Sequence, residues 1–171
     1  MKYLPALLLL LACSTKKPES ASTPSDSLSS DDIQAPGRAA AILASSALDG
    51  YLVRNGVDLP DSTNFFLLGS AEVLDQYFTA EGAQADSPDF IINYVVGIAC
   101  RPDPRQTTIV MDSVITGESS LDVFITLRRG ETVQKSTKSA RLFSIERREG
   151  YPVVQFYVNG KKDKALVLVG I

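Results

Sequence analysis

After Glu81 apolar side chains recur at every second position in a series of short runs separated by polar stretches. Alternation of this kind puts one side of an extended chain against a core and the other toward water. It predicts strands at Phe90–Ala99, Thr107–Ile115, Leu121–Leu127, Arg141–Ile145, Val153–Val158 and Ala165–Val169. The pattern is plainest where Leu121, Val123, Ile125 and Leu127 alternate with Asp122, Phe124, Thr126 and Arg128. Turn residues punctuate the runs at Gly117-Glu118, Arg129-Gly130 and Asn159-Gly160. Connections that short favour antiparallel neighbours. Upstream, Ala40, Leu43, Ala44, Ala47 and Leu48 fall on one helical face, which predicts a helix over Ala39–Leu48. A second helix is predicted at Ser70–Phe78. Ser70 caps it, Glu72 suits its positive end, and Val73, Leu74, Tyr77 and Phe78 form the buried stripe. Tyr51–Arg54 and Phe65–Leu68 read as short strands. The expected fold is α+β: a twisted, mainly antiparallel sheet of about six to eight strands with one or two helices packed on it.

The first residues follow another logic. Lys2 precedes an apolar run from Leu4 to Leu11, and Leu10-Leu11-Ala12-Cys13 closes it. A bilayer span needs about 20 apolar residues, so the run reads as a secretory signal. Its end resembles the bacterial lipobox, in which the cysteine is lipidated and the chain is cut before it. An ordinary signal-peptidase site suits Ala12 but not Leu10. Ser14–Gln34 is rich in serine, with Pro18 and Pro24, and cannot bury enough apolar surface to fold. As a tether it reaches roughly 25 Å. The chain thus divides into a signal peptide (1–12), a lipidated Cys13 with its tether (13–34), and one α+β domain (35–171).

Composition narrows the chemistry. The chain has no histidine, which excludes Ser-His-Asp and Cys-His machinery and histidine-bound zinc. With Cys13 lipidated, Cys100 has no partner within the chain. A strand through it places Phe90, Ile92, Tyr94, Val96, Ile98 and Cys100 on one apolar face, so the thiol reads as a small buried hydrophobe. Ser136 with Lys138 is a conceivable nucleophile pair in a polar segment. Asp58, Asp61 and Asn64 hint at calcium but lack the Asp-x-Asp-x-Asp-Gly loop. No catalytic residue, metal or cofactor is assigned. Charge is uneven: six basic and sixteen acidic residues from Ser14 to Leu127, then ten basic and four acidic from Arg128 to Ile171. Candidate binding residues are Arg101, Asp103 and Arg105, in an Arg-Pro-Asp-Pro-Arg segment stiffened by two prolines, and Arg128 and Arg129 at a predicted turn. Lysines and arginines at turns and edges also serve solubility. The acidic whole and the exported location argue against nucleic acid.

The order Tyr51-x-Val53-x-Asn55, Ser70-x-Glu72-x-x-Asp75-x-x-Phe78, Asp89-Phe90-x-x-x-x-Val95-Val96, Thr107-Thr108-Ile109 and Gly130-Glu131 resembles small lipoproteins of Gram-negative anaerobes. More distantly, it is similar to the C-terminal domain of protease-complex-subunit proteins. The resemblance runs from about Tyr51 to the end. It implies a non-catalytic binding module of the cell envelope, with some relatives described as protease-associated or inhibitor-like. The expected partners are the membrane, through the N-terminal lipid, and an envelope protein. The alternatives are an envelope enzyme using carboxylates or a Ser/Lys pair, and a purely structural component. Ser14 after the cysteine points to the outer membrane. Replacing Cys13 by alanine should leave an uncut, unlipidated precursor, as read by gel mobility and fatty-acid labelling. Normal cleavage to a soluble periplasmic protein would sink the lipoprotein reading.

Overall fold

The computed structural model describes residues 39–168; the signal segment, Cys13 and the tether lie outside the described residues. Ten strands and one short helix follow in the order β1 (Ser45–Leu48), β2 (Tyr51–Val53), β3 (Thr63–Leu68), α1 (Ala71–Tyr77), β4 (Phe78–Ala80), β5 (Asn93–Cys100), β6 (Asp103–Thr116), β7 (Ser120–Thr137), β8 (Ala140–Glu146), β9 (Val153–Val158) and β10 (Lys161–Val167). The α+β class and the mainly antiparallel pairing agree with the alternation. The single sheet does not. There are two four-stranded sheets, ordered β1-β8-β5-β3 and β10-β9-β7-β6, and a small β2-β4 ribbon. Only β7 and β9 run parallel.

The three layers follow from where the side chains go. Between the four-stranded sheets, Tyr94, Val96, Ile98, Phe143 and Ile145 meet Val114, Val123, Ile125, Val154 and Phe156. On the other side of the first sheet, Val95, Ala99 and Leu142 pack against Leu74, Phe78, Val53 and Leu48. β5 is therefore buried on both faces from Tyr94 to Cys100. Helix α1 begins where expected: Ser70 is extended and its Oγ accepts a hydrogen bond from the Val73 amide at 3.4 Å. Hydrogen bonds from Ser70 and from its own backbone hold the Glu72 carboxyl below the usual range. At the β9–β10 hairpin, Asn159 and Gly160 both have positive φ, 50° and 77°, which is what a tight two-residue turn requires.

Three expectations are corrected. Ala39–Leu48 is not a helix. Ile42 bridges Ile115, and Ser45–Leu48 pairs with Leu142–Ile145 as an edge strand. Leu43 and Leu48 are buried while the alanines are exposed, so pairing with two sheet edges overrides the helix propensity of alanine. Arg129-Gly130 is not a turn, because β7 runs on to Thr137. Arg105 pairs with Thr132 but Thr107 with Arg129, so the extra residue makes a bulge at Gly130-Glu131. Finally, Phe90–Ile92 does not extend β5. Asp89 accepts the Ile91 amide at 2.9 Å in a tight turn, leaving Ile91 and Ile92 83% and 61% exposed.

Gly97 is the point of closest packing. A Cβ there would lie 2.7 Å from Cε2 and Cζ of Phe78, whose side chain is wholly buried. Gly97→Ala should destabilise the fold by about 1–3 kcal/mol through overpacking. Urea melts of Gly97→Ala, Phe78→Leu and the double variant should show coupling, the smaller side chain relieving the clash. Strictly additive losses would mean the two residues do not compete for that space.

Candidate functional site

β5 pairs with β8 and β6 pairs with β7, so these four strands form one long ribbon bent over on itself. One arm lies in each sheet. The bend falls at Arg101-Pro102 on one strand and Lys138-Ser139 on the other, because Ala99 still pairs with Ala140 and Asp103 with Thr137. Proline fixes φ and donates no hydrogen bond, which suits a corner where the ladder must break. The Cys100 amide donates to the Ser139 carbonyl at 2.8 Å, and the Thr107 amide to Ser139 Oγ at 3.0 Å. Arg101 fastens the corner to the preceding loop. Its amide donates to the Ser62 carbonyl at 3.2 Å, its Nε to the Leu59 carbonyl at 3.1 Å, and its Nη2 to the Pro60 carbonyl. Asp103 accepts the Arg105 amide at 2.7 Å, which starts β6.

A cleft of about 500 Å³ opens at this corner. Arg101, Asp103 and Arg129 line it, joined by Asp163, Asn159 and the edge of Cys100. Of the sequence-predicted binding residues, these three come together. Arg105 and Arg128 are exposed on the neighbouring strands, and Arg128 points to the opposite face of β7 from Arg129. The β9–β10 turn adds the exposed Lys161, Lys162 and Lys164 at the same end of the sandwich. In the cleft Asp103 and Asp163 balance Arg101 and Arg129, and Asp58 and Asp61 share the next recess with Asp163 and Lys164, so the cationic excess at this end rests on the exposed lysines.

Cys100 is free and buried, with 6% of its surface exposed. Burial pushes its thiol up; a hydrogen bond from Thr63 and the charge of Arg129 pull it down by less. The other candidates lie elsewhere. Asn64 bonds both backbone groups of Asp61, at 2.8 and 3.2 Å, and so serves the loop before β3. Lys138 Nζ donates to the Val57 carbonyl at 3.5 Å, and Ser136 is exposed. Among the described residues no group of three or more acidic or cysteine side chains converges, and no helix is long and apolar enough to cross a membrane. Sequence reasoning passed over Asn159, whose Oδ1 accepts the Leu127 amide at 3.0 Å, and Ser139. Both reach the corner through strand pairing, and no local motif marks them.

No family model, curated protein or solved structure matches the chain.

Native Cys100 should react with a water-soluble thiol reagent far more slowly than the denatured chain does. Because burial raises the thiol pKa, little thiolate forms near pH 8 and the native rate should climb only at more alkaline pH. A native rate equal to the denatured control would show that the cleft exposes the sulfur.

Proposed function

We propose that this chain is a lipid-anchored protein of the bacterial cell envelope, held in the outer membrane through Cys13, and that its domain is a non-catalytic module binding an acidic protein surface. The observation that carries this reading is the gathering of cations from separate segments at the bent corner: Arg101 from the bend and Arg129 from β7 line the cleft, and the exposed Lys161, Lys162 and Lys164 follow the β9–β10 turn beside them. Arginine offers a planar fork of donors that matches a carboxylate, and a corner already ordered by prolines loses less freedom on docking. The reading also accords with the binding role implied by the resemblance to small envelope lipoproteins. Arg101 belongs to the scaffold of the site, since its guanidinium already serves two carbonyls. Arg129 and the lysines supply the recognition. Lys138 Nζ is turned to the Val57 carbonyl, which ties it to the loop before β3.

The test is capture from envelope membranes with the full-length lipidated protein as bait, followed by titration of the captured partner. Replacing Arg129, Lys161 and Lys162 together by alanine should weaken binding tenfold or more and flatten its salt dependence. The melting temperature should barely move, because exposed charges contribute little to stability. Arg101→Ala should lower the melting temperature, since the loop carbonyls it serves lose their donor. Full affinity in the triple variant, or binding indifferent to salt, would remove the corner from the account.

A further inference from the structure

We infer that the open side of the sandwich, between the edges of β1 and β6, is a receptor groove for one extended segment of a partner protein, which pairs with β6 as an added strand. The groove holds about 660 Å³ and is lined by Ser45 and Ala47 on one side and Thr107 to Met111 on the other, with Phe143 at its floor. Both walls are terminal strands of their sheets.

Strand parity shows which backbone groups face the groove. Thr107 donates its amide away from β7, to Ser139 Oγ, so Ile109 and Met111, two and four residues on, also turn their amides and carbonyls outward. A register shift between Met111 and Ser113 changes the parity, and there the outward groups are occupied: Leu43 donates to the Val114 carbonyl at 2.9 Å and Thr116 to the Ala41 carbonyl at 2.8 Å. On β1, Ala44 accepts the Glu146 amide, so Ser45 and Ala47 turn away from β8. The chain thus covers one half of the β6 edge with Ala41–Leu43, then crosses to the other sheet. The backbone groups of Ile109 and Met111 are left with no partner among the described residues.

A free edge of this kind is a template for strand addition unless charge, proline or irregularity blocks it. Between the two register shifts, Thr107–Met111 is regular and carries neither charge nor proline. The recess explains why the occupant is a single extended segment. The regular stretch Thr107–Met111 matches one strand of about five residues, and Ser45 and Ala47 of β1 form the facing wall. Lys138 and Arg141 line the groove, with Asp49 paired to Arg141 at 2.6 Å, so the excess charge is positive. The segment is therefore one with small or apolar side chains facing inward and a carboxylate near Lys138. The groove adjoins the corner cleft and shares Thr107 with it, but the inference rests on the β6 edge and stands whether or not the corner binds protein.

The experiment selects octapeptides from a displayed random library on the full-length protein and titrates the best as a synthetic peptide. The enriched sequences should be strand-forming with an acidic residue toward one end. Saturating peptide should slow amide exchange at Ile109 and Met111 at least tenfold. Methylating alternate peptide amides should weaken binding tenfold or more at one parity and leave the other nearly unchanged. Ala47→Trp, at an exposed edge position, should fill the groove and abolish binding, and its fluorescence reports whether the variant is folded. No enriched binder, protection confined to the corner cleft, or affinity indifferent to amide methylation would each overturn the inference.

Discussion

The fold depends on β5 having no face toward water. Its even residues, Tyr94 to Cys100, enter the core between the four-stranded sheets, and Val95 and Ala99 enter the core beneath α1. A strand buried on both sides needs a cover for each, and the chain supplies them from different ends. The long β6–β7 hairpin covers one side; the helix with the β2–β4 ribbon covers the other. Gly97 sets how closely the second cover sits, because only a residue without a Cβ leaves room for the Phe78 ring. Phe66 completes that contact, meeting Phe78 edge-on at 5.4 Å and Tyr77 at 4.9 Å. On the opposite side Phe65 stacks on Phe156 at 4.4 Å and ties β3 to the second sheet.

The position of β5 also determines where functional groups collect. β5 and β8 are the two inner strands of the first sheet, so their continuations, β6 and β7, cannot extend it sideways. They fold over it, and the ribbon must bend. The bend needs residues that break the ladder and a clamp to hold the break. Pro102 and Arg101 fill those roles. Polar and charged side chains that no core position can accept then gather at the bend and on the strands leaving it. The same folding-over brings Phe65 onto Phe156 on one side and leaves a groove between β1 and β6 on the other. The corner cleft and the groove are two consequences of one bent ribbon.

Much of this was legible in the residues. The capped helix with its Leu74 and Phe78 stripe, the alternation of Leu121 to Ile125, and the Asn159-Gly160 turn carry local signals strong enough to survive any tertiary context. Ala39–Leu48 misled because alanine favours a helix only where nothing better is offered, and here two sheet edges offered backbone partners. Gly130 misled because a glycine flanked by arginines reads the same at a turn and at a bulge. Phe90–Ile92 misled because Asp89 ends the extended run with its own side chain. The candidate site was half legible. Arg101, Asp103 and Arg129 could be named, but that they share a cleft with Asn159 and Asp163 is a property of strand order. Nothing in local sequence encodes that order.

Native-state amide exchange tests most directly whether β5 is the centre on which the rest depends. The slowest amides should be those of Val95 to Ile98 and their partners on β8, exchanging only with global unfolding and shifting together with denaturant. The tip of the β6–β7 hairpin and β1 should open at lower free energy. If the β6–β7 arm kept its protection while Val95 to Ile98 exchanged through a smaller opening, the hairpin would be the independent unit and the central role given to β5 would be contradicted.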